Sequence, residues 1–313
     1  MKTQRYQLRI SGLKEDEGQI KMATLRRVMD ALLVTAERTT RLLATGAGSG
    51  GRGARPQWLN AAIDFTITGL KPGSTIFDIE APRLGETAYE QFAKKDLWNK
   101  QPDLDETALD LVAQSIKETQ TDNPIGDYFD SSVLEAILMF RQAARASGVR
   151  YEMIPQGTAH GQFKLDDISC TYVKKRLNAI PAPRSFIVSG RLDEIKHDNG
   201  RFRLLVSEKS ALFGRLDASL SVEALRPLWG KQTTVEGMVH FKSNGQPRLI
   251  EARRISGRLE KDVVFEEMPS IEAQKSHDLL QGQPKQVGAF DPIELAGAWP
   301  GDEPIEDLLA QLD

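Results

Sequence analysis

Ser185-Phe186-Ile187-Val188-Ser189-Gly190-Arg191-Leu192, Gly200-Arg201-Phe202-Arg203-Leu204-Leu205-Val206 and Ala211-Leu212-Phe213-Gly214-Arg215-Leu216 are three consecutive runs of strand character, rich in β-branched and aromatic residues and separated by polar stretches. A short helical segment follows at Ser221-Val222-Glu223-Ala224-Leu225-Arg226-Pro227-Leu228-Trp229, with Ser221 placed to cap it. Thr233-Thr234-Val235-Glu236-Gly237-Met238-Val239-His240-Phe241 and Pro247-Arg248-Leu249-Ile250-Glu251-Ala252 supply two more strands, joined by the turn Ser243-Asn244-Gly245. Glycines 190, 214 and 237 sit inside these runs, where a small barrel bends its strands.

Three strands, a helix and two strands is an order that resembles the five-stranded OB barrel, so residues 184–258 are expected to form an OB-like β-barrel. The segment holds 14 Lys/Arg against 8 Asp/Glu. What the resemblance implies is a platform for single-stranded DNA or RNA, in which cations meet phosphates and aromatic faces meet bases. Arg201, Arg203, Arg215, Lys242 and Arg248 are the candidate phosphate contacts, because strand alternation puts Arg201 and Arg203 on one face. Phe202, Phe186, Phe213 and Trp229 read as interior, which leaves few stacking platforms.

Upstream, residues 1–183 read as an α+β domain. Tyr6-Gln7-Leu8-Arg9-Ile10 alternates as a half-buried strand, and a helical stripe runs from about Gln19 to Leu43. Ala62–Thr68 and Ser74–Ile79 flank Lys71-Pro72-Gly73 as a hairpin. Helices are expected near 103–119 and 131–147, and strands near 149–154 and 162–173. The glycine-rich stretch Thr45–Gly53 lacks the Lys-Ser/Thr of a P-loop and follows a helix, so it reads as a connector, with Arg52 and Arg55 as its cations.

Residues 259–313 hold 3 Lys/Arg against 13 Asp/Glu and form an acidic linker and docking helix, expected to be partly disordered. In Trp299-Pro300-Gly301-Asp302-Glu303-Pro304-Ile305-Glu306-Asp307-Leu308-Leu309-Ala310-Gln311-Leu312-Asp313, the side chains Ile305, Leu308, Leu309 and Leu312 fall at i, i+3, i+4 and i+7. Such an amphipathic helix is marginal alone and suits a groove on a protein partner, with Trp299 as anchor. The string Trp299–Glu303 before an acidic, Leu-rich end resembles the tails of Vap-type antitoxins. That resemblance implies a type II toxin–antitoxin pair and a PIN-domain ribonuclease toxin as partner. Residues 291–313 carry no Arg or Lys, unlike many such tails, so block by groove occupancy is the implied mode.

Chemistry finds little purchase in this chain. Cys170, the single cysteine, excludes an internal disulfide and a multi-thiolate metal site, and within Ile168–Val173 it reads as a buried thiol on a strand. His160, His197, His240 and His277 are dispersed. Asp103/Asp105/Glu106 and Asp166/Asp167 are explained by helix capping and solvated surface. The expectation is a non-enzymatic binding protein without metal or cofactor. No apolar stretch reaches the roughly 20 residues of a membrane span, and no signal peptide opens the chain, so a cytoplasmic location is expected.

Overall fold

The computed structural model describes residues 2–15, 18–49, 55–71, 75–93, 101–122, 124–144, 146–157, 161–196, 200–208, 210–217 and 219–271. A mixed α+β body is followed by a closed five-stranded barrel, and both belong to one compact unit that ends at Ser270. The tail residues Trp299, Ile305, Leu308, Leu309 and Leu312 lie outside the described residues, as do Arg52, His160, His197 and His277.

The body is built on a sheet of β1 (Thr3–Ser11), β2 (Thr66–Lys71), β3 (Thr75–Pro82), β4 (Arg150–Pro155) and β5 (Phe163–Leu165), in the order β2-β3-β1-β4-β5. Its described strand pairings are antiparallel. Alternation along β1 buries Gln4, Tyr6, Leu8 and Ile10 while Arg5 and Arg9 face outward. Helices α1 (Met22–Thr45), α5 (Ala108–Thr119), α6 (Ser131–Ala144) and α7 (Asp167–Ala179) share one core with that apolar face. On α1, Val28, Ala31, Leu32, Thr35, Ala36, Thr39 and Leu42 form the buried stripe, and Gly46 closes the helix in the left-handed conformation with its N–H bonded to the Leu42 carbonyl at 2.7 Å. Short helices α2 (Gln57–Ala62), α3 (Leu84–Thr87) and α4 (Tyr89–Phe92) fill in around a satellite cluster of Leu84, Phe92 and Leu111.

The strand expected over Ala62–Thr68 begins only at Thr66, because Gln57–Ala62 forms α2. Two further local expectations change. The span 162–173 is not one strand: β5 ends at Leu165 and α7 begins at Asp167. Asp166 caps that helix by accepting the Ser169 N–H at 2.9 Å, and the buried set Ser169, Cys170 and Val173 has helical spacing. The β-branched run around Cys170 imitates a strand, but the cap and tertiary contacts decide otherwise. The second change is at 221–229, where two 3-10 turns, Val222–Ala224 and Arg226–Leu228, replace a regular helix. Pro227 removes a backbone donor in the middle of this segment.

The barrel comprises β6 (Arg184–Lys196), β7 (Arg201–Ser207), β8 (Ser210–Leu216), β9 (Gln232–Phe241) and β10 (Pro247–Gly257). Its order is β10-β8-β7-β6-β9, closed by β9 on β10, with β8 and β10 parallel and the other pairs antiparallel. This is compatible with the OB-like barrel expected from element order. Gly214 and Gly237 are required by close approach: a Cβ at Gly214 would lie 2.1 Å from the Phe202 ring, and one at Gly237 would lie 2.1 Å from the Glu251 carbonyl oxygen. Val188, Leu192, Phe202, Leu204, Leu212, Val235, Val239 and Ile250 fill the interior. A 3-10 segment, Glu260–Phe265, is tied to the barrel by Asp262, which accepts from Thr234 Oγ1 at 2.8 Å and from the Leu259 N–H at 2.9 Å.

Candidate functional site

The five cations nominated for phosphate contact share the barrel but meet partners within the chain. Arg201 and Arg203 do lie on the outer face of β7, as alternation requires, with Phe202 and Leu204 inside. Arg201 donates to the Ala44 carbonyl at 2.5 Å, in the last turn of α1, where the helix dipole favours a cation. Arg203 is bonded to the Asp193 carboxylate through Nε at 3.0 Å, with a second contact from its terminal nitrogen, and its remaining nitrogen is 3.7 Å from Glu194. Arg215 pairs with Glu251. Lys242 is 2.6 Å from Asp127, and Arg248 donates to the carbonyls of Gly126 and Phe129, the latter at 2.7 Å.

Lys242 and Arg248 therefore join the barrel to loop 126–130 of the body. Glu118, near the end of α5, shapes that loop by accepting the N–H groups of Gly126 at 2.8 Å, Asp127 at 3.2 Å and Tyr128 at 2.8 Å. Asp130 accepts from Val133 N–H at 2.9 Å at the start of α6, and from Gly48 N–H at 2.7 Å, which tethers the first part of the glycine-rich connector. Arg55, the other cation weighed there, is 2.5 Å from Glu37. Burial lowers the affinity of the Arg248 guanidinium for its proton, and Asp130, Asp127 and Glu118 oppose that shift. His240, beside Arg215 and Glu251, is held below its ordinary value by burial first and by the Arg215 charge second.

Phe186 and Phe213, read as interior, are half-buried, and the larger correction falls on Trp229. It is 67% exposed rather than interior, and its indole N–H donates to the Asp193 carbonyl at 3.2 Å. The cause is local geometry. An α-helix would place Leu225 and Trp229 on one face, whereas 3-10 spacing aligns Leu225 with Leu228; Leu225 is fully buried and Trp229 is left outside. Pro227 was the sequence signal for this.

Trp229 borders an open cleft of about 570 Å³ lined also by Asp193, Glu194, Ile195, Val222 and Arg226. Glu194 is shared with a neighbouring depression that reaches Lys196, Arg203 and the half-buried Phe213 on the β7–β8 face. Phe186 is half-buried and packs edge-on against Phe241, with ring centroids 5.9 Å apart. A second cleft of about 620 Å³ lies by the 3-10 segment and is lined by Ile187, Leu259 and Phe265 among others.

The acidic groups weighed for metal binding are engaged in structure. Asp105 pairs with Arg83 at 2.5 Å, and Glu106 accepts the Asp103 N–H at 2.8 Å. Among the described residues, no group of three or more His, Cys, Asp or Glu side chains is arranged to hold a metal ion. In the body, buried Asp110 accepts from the Tyr6 hydroxyl at 2.8 Å and from Thr107 N–H at 2.8 Å, forming the capping box of α5. Its other oxygen faces Gly161, where a Cβ would lie 2.1 Å away, and it is buried without a hydrogen-bond partner among the described residues. Cys170 is buried and its thiol is pushed up to about 11 by that burial. No described helix is long and apolar enough to cross a membrane.

Comparison with family models, curated proteins and solved structures found no match.

Proposed function

We propose that this chain is a non-catalytic binding protein that engages a protein partner, with the Trp229 surface of the barrel as one docking point and the acidic C-terminal segment as another. The observation that carries this reading is the exposed, hydrogen-bonded indole of Trp229 set next to Arg226, on a barrel whose five nominated cations are engaged within the chain. Trp and Arg beside apolar neighbours are the residue types that most often dominate protein interfaces. In this reading Trp299, Ile305, Leu308, Leu309 and Leu312 provide a second contact to a protein. The toxin-neutralising version, with a PIN-domain toxin as partner, rests on the tail resemblance alone.

A second reading is an OB-fold protein for single-stranded nucleic acid. It is favoured by the parallel β8–β10 closure and by Phe213 lying opposite Arg203 on the β7–β8 face, which is the ligand face of OB barrels. Affinity capture from the native host separates the two when run with the full chain, with Trp229→Ala and with a chain ending at Ala298. Loss of a specific protein with Trp229→Ala supports the docking reading, and an identical partner list for all three overturns it. Tight, steeply salt-dependent binding of labelled single-stranded DNA would move the conclusion to the second reading.

A further inference from the structure

The electrostatics of the Trp229 cleft specify what chemistry it accepts. Its two lining carboxylates are already matched: Asp193 is bonded by Arg203 and lies 3.7 Å from Arg191, and Glu194 lies 3.7 Å from Arg203. Arg226 is not matched: it lines the cleft with an exposed side chain that has no ion pair or hydrogen bond among the described residues. Lys196, bordering the adjoining depression, is also unpaired. The apolar part of the lining is Ile195, Val222 and the indole. An apolar lining beside an unmatched positive charge complements a segment that carries apolar anchors and carboxylates together.

We infer that the Trp229 cleft binds an acidic amphipathic segment of a partner protein, its apolar side chains covering Trp229, Ile195 and Val222 and its carboxylates meeting Arg226. The inference rests on the docking function proposed for this surface and adds the chemistry of the occupant. A protein segment is favoured over a nucleic-acid strand here because a single aromatic ring lines the cleft with two aliphatic side chains, without the succession of stacking rings that a strand uses.

The test uses the full chain and fluorescence anisotropy with a labelled 16-residue peptide carrying Leu at i, i+3, i+4 and i+7 and Glu or Asp elsewhere. Its controls are the same peptide with Gln and Asn in place of the acids, the same peptide with Lys, and a 15-nucleotide oligo-dT. The acidic peptide should bind about tenfold more tightly than the amide peptide at low salt, with the gap closing as salt is raised. Trp229→Ala should weaken it by about 30-fold, the loss expected for an interface anchor. Arg226→Glu should reverse the preference toward the Lys peptide; the side chain is exposed, so the reversal does not depend on tolerance of the Trp229 change. Equal binding of acidic and amide peptides overturns the inference, as does an oligo-dT affinity that exceeds every peptide and depends on Trp229. If a captured partner depends on Trp229 but the acidic peptide does not compete for it, the occupant chemistry is wrong and the docking function stands. If no partner depends on Trp229, the docking function itself is wrong.

Discussion

Arg248→Met separates a structural cation from a ligand-binding one. The Arg248 guanidinium donates to the Gly126 and Phe129 carbonyls across the junction of barrel and body, and Lys242, just after the end of β9, is 2.6 Å from Asp127 of the same loop. A hydrogen bond from a charged donor contributes about 1.5–3 kcal/mol net, so two such bonds set an upper range of about 3–6 kcal/mol. The cost of keeping a guanidinium out of water, and the buried Arg248 Nε without a partner, reduce that figure. A loss of about 2–4 kcal/mol is therefore expected for Arg248→Met, which preserves much of the apolar stem but leaves both carbonyls without this donor. Arg248→Lys should recover less than half, because an ammonium cannot present the planar fork that reaches two carbonyls. The assay is urea denaturation of the full chain followed by tryptophan fluorescence and far-UV circular dichroism. In the variant the two signals should separate as the barrel and the body lose their cooperative connection. A loss below about 1 kcal/mol, together with a drop in single-stranded DNA affinity, would refute the assignment and return Arg248 to a phosphate-contacting role.

Gly214→Ala places a methyl 2.1 Å from the Phe202 ring and should destabilise the barrel by about 1–3 kcal/mol or more, with Phe202→Leu restoring part of the loss in thermal melts; an unchanged Tm for the single variant would show that the strand relaxes freely. His240 has a folded-state proton affinity below the ordinary 6.5, so between its folded value and 6.5 the unfolded chain binds more protons and stability falls as pH is lowered. His240→Gln should flatten the dependence of Tm on pH just below 6.5, and identical slopes for the two proteins would sink this account. Cys170, with its thiol pushed up to about 11, should react with a thiol-specific dye at pH 8 far more slowly in the folded chain than in urea; complete labelling of the native protein within minutes would contradict its burial.

The five strands of the barrel and their glycine bends were legible because both signals are local. Period-two alternation fixes which of Arg201, Phe202 and Arg203 points inward, and a glycine inside an apolar strand marks a backbone too close to a neighbour for a side chain. The β2–β3 hairpin and the cores of α1, α5 and α6 were legible for the same reason. The helix containing Cys170 was not, because Ile168, Thr171, Tyr172 and Val173 all favour strands and the deciding contribution, the Asp166 cap, is a single side chain whose geometry the sequence does not rank above propensity. Trp229 was misread through a helix period that Pro227 had already broken.

Charge was the least transferable quantity. The excess of cations over residues 184–258 suggests a surface prepared for phosphate, yet that excess does not describe which cations remain free. Arg203 and Arg215 find carboxylates on adjacent strands, because strands 4.7–4.9 Å apart bring residues distant in sequence side by side. Arg201 and Arg248 find carbonyl oxygens, which carry no formal charge and are invisible to any count of acids and bases. A carbonyl can thus neutralise the availability of a cation without changing the net charge of the chain. Among the described residues of this segment, the cations without an ion pair or hydrogen bond are Arg184, Lys196, Arg226, Lys231 and Arg253, a set that the sum over the segment does not identify.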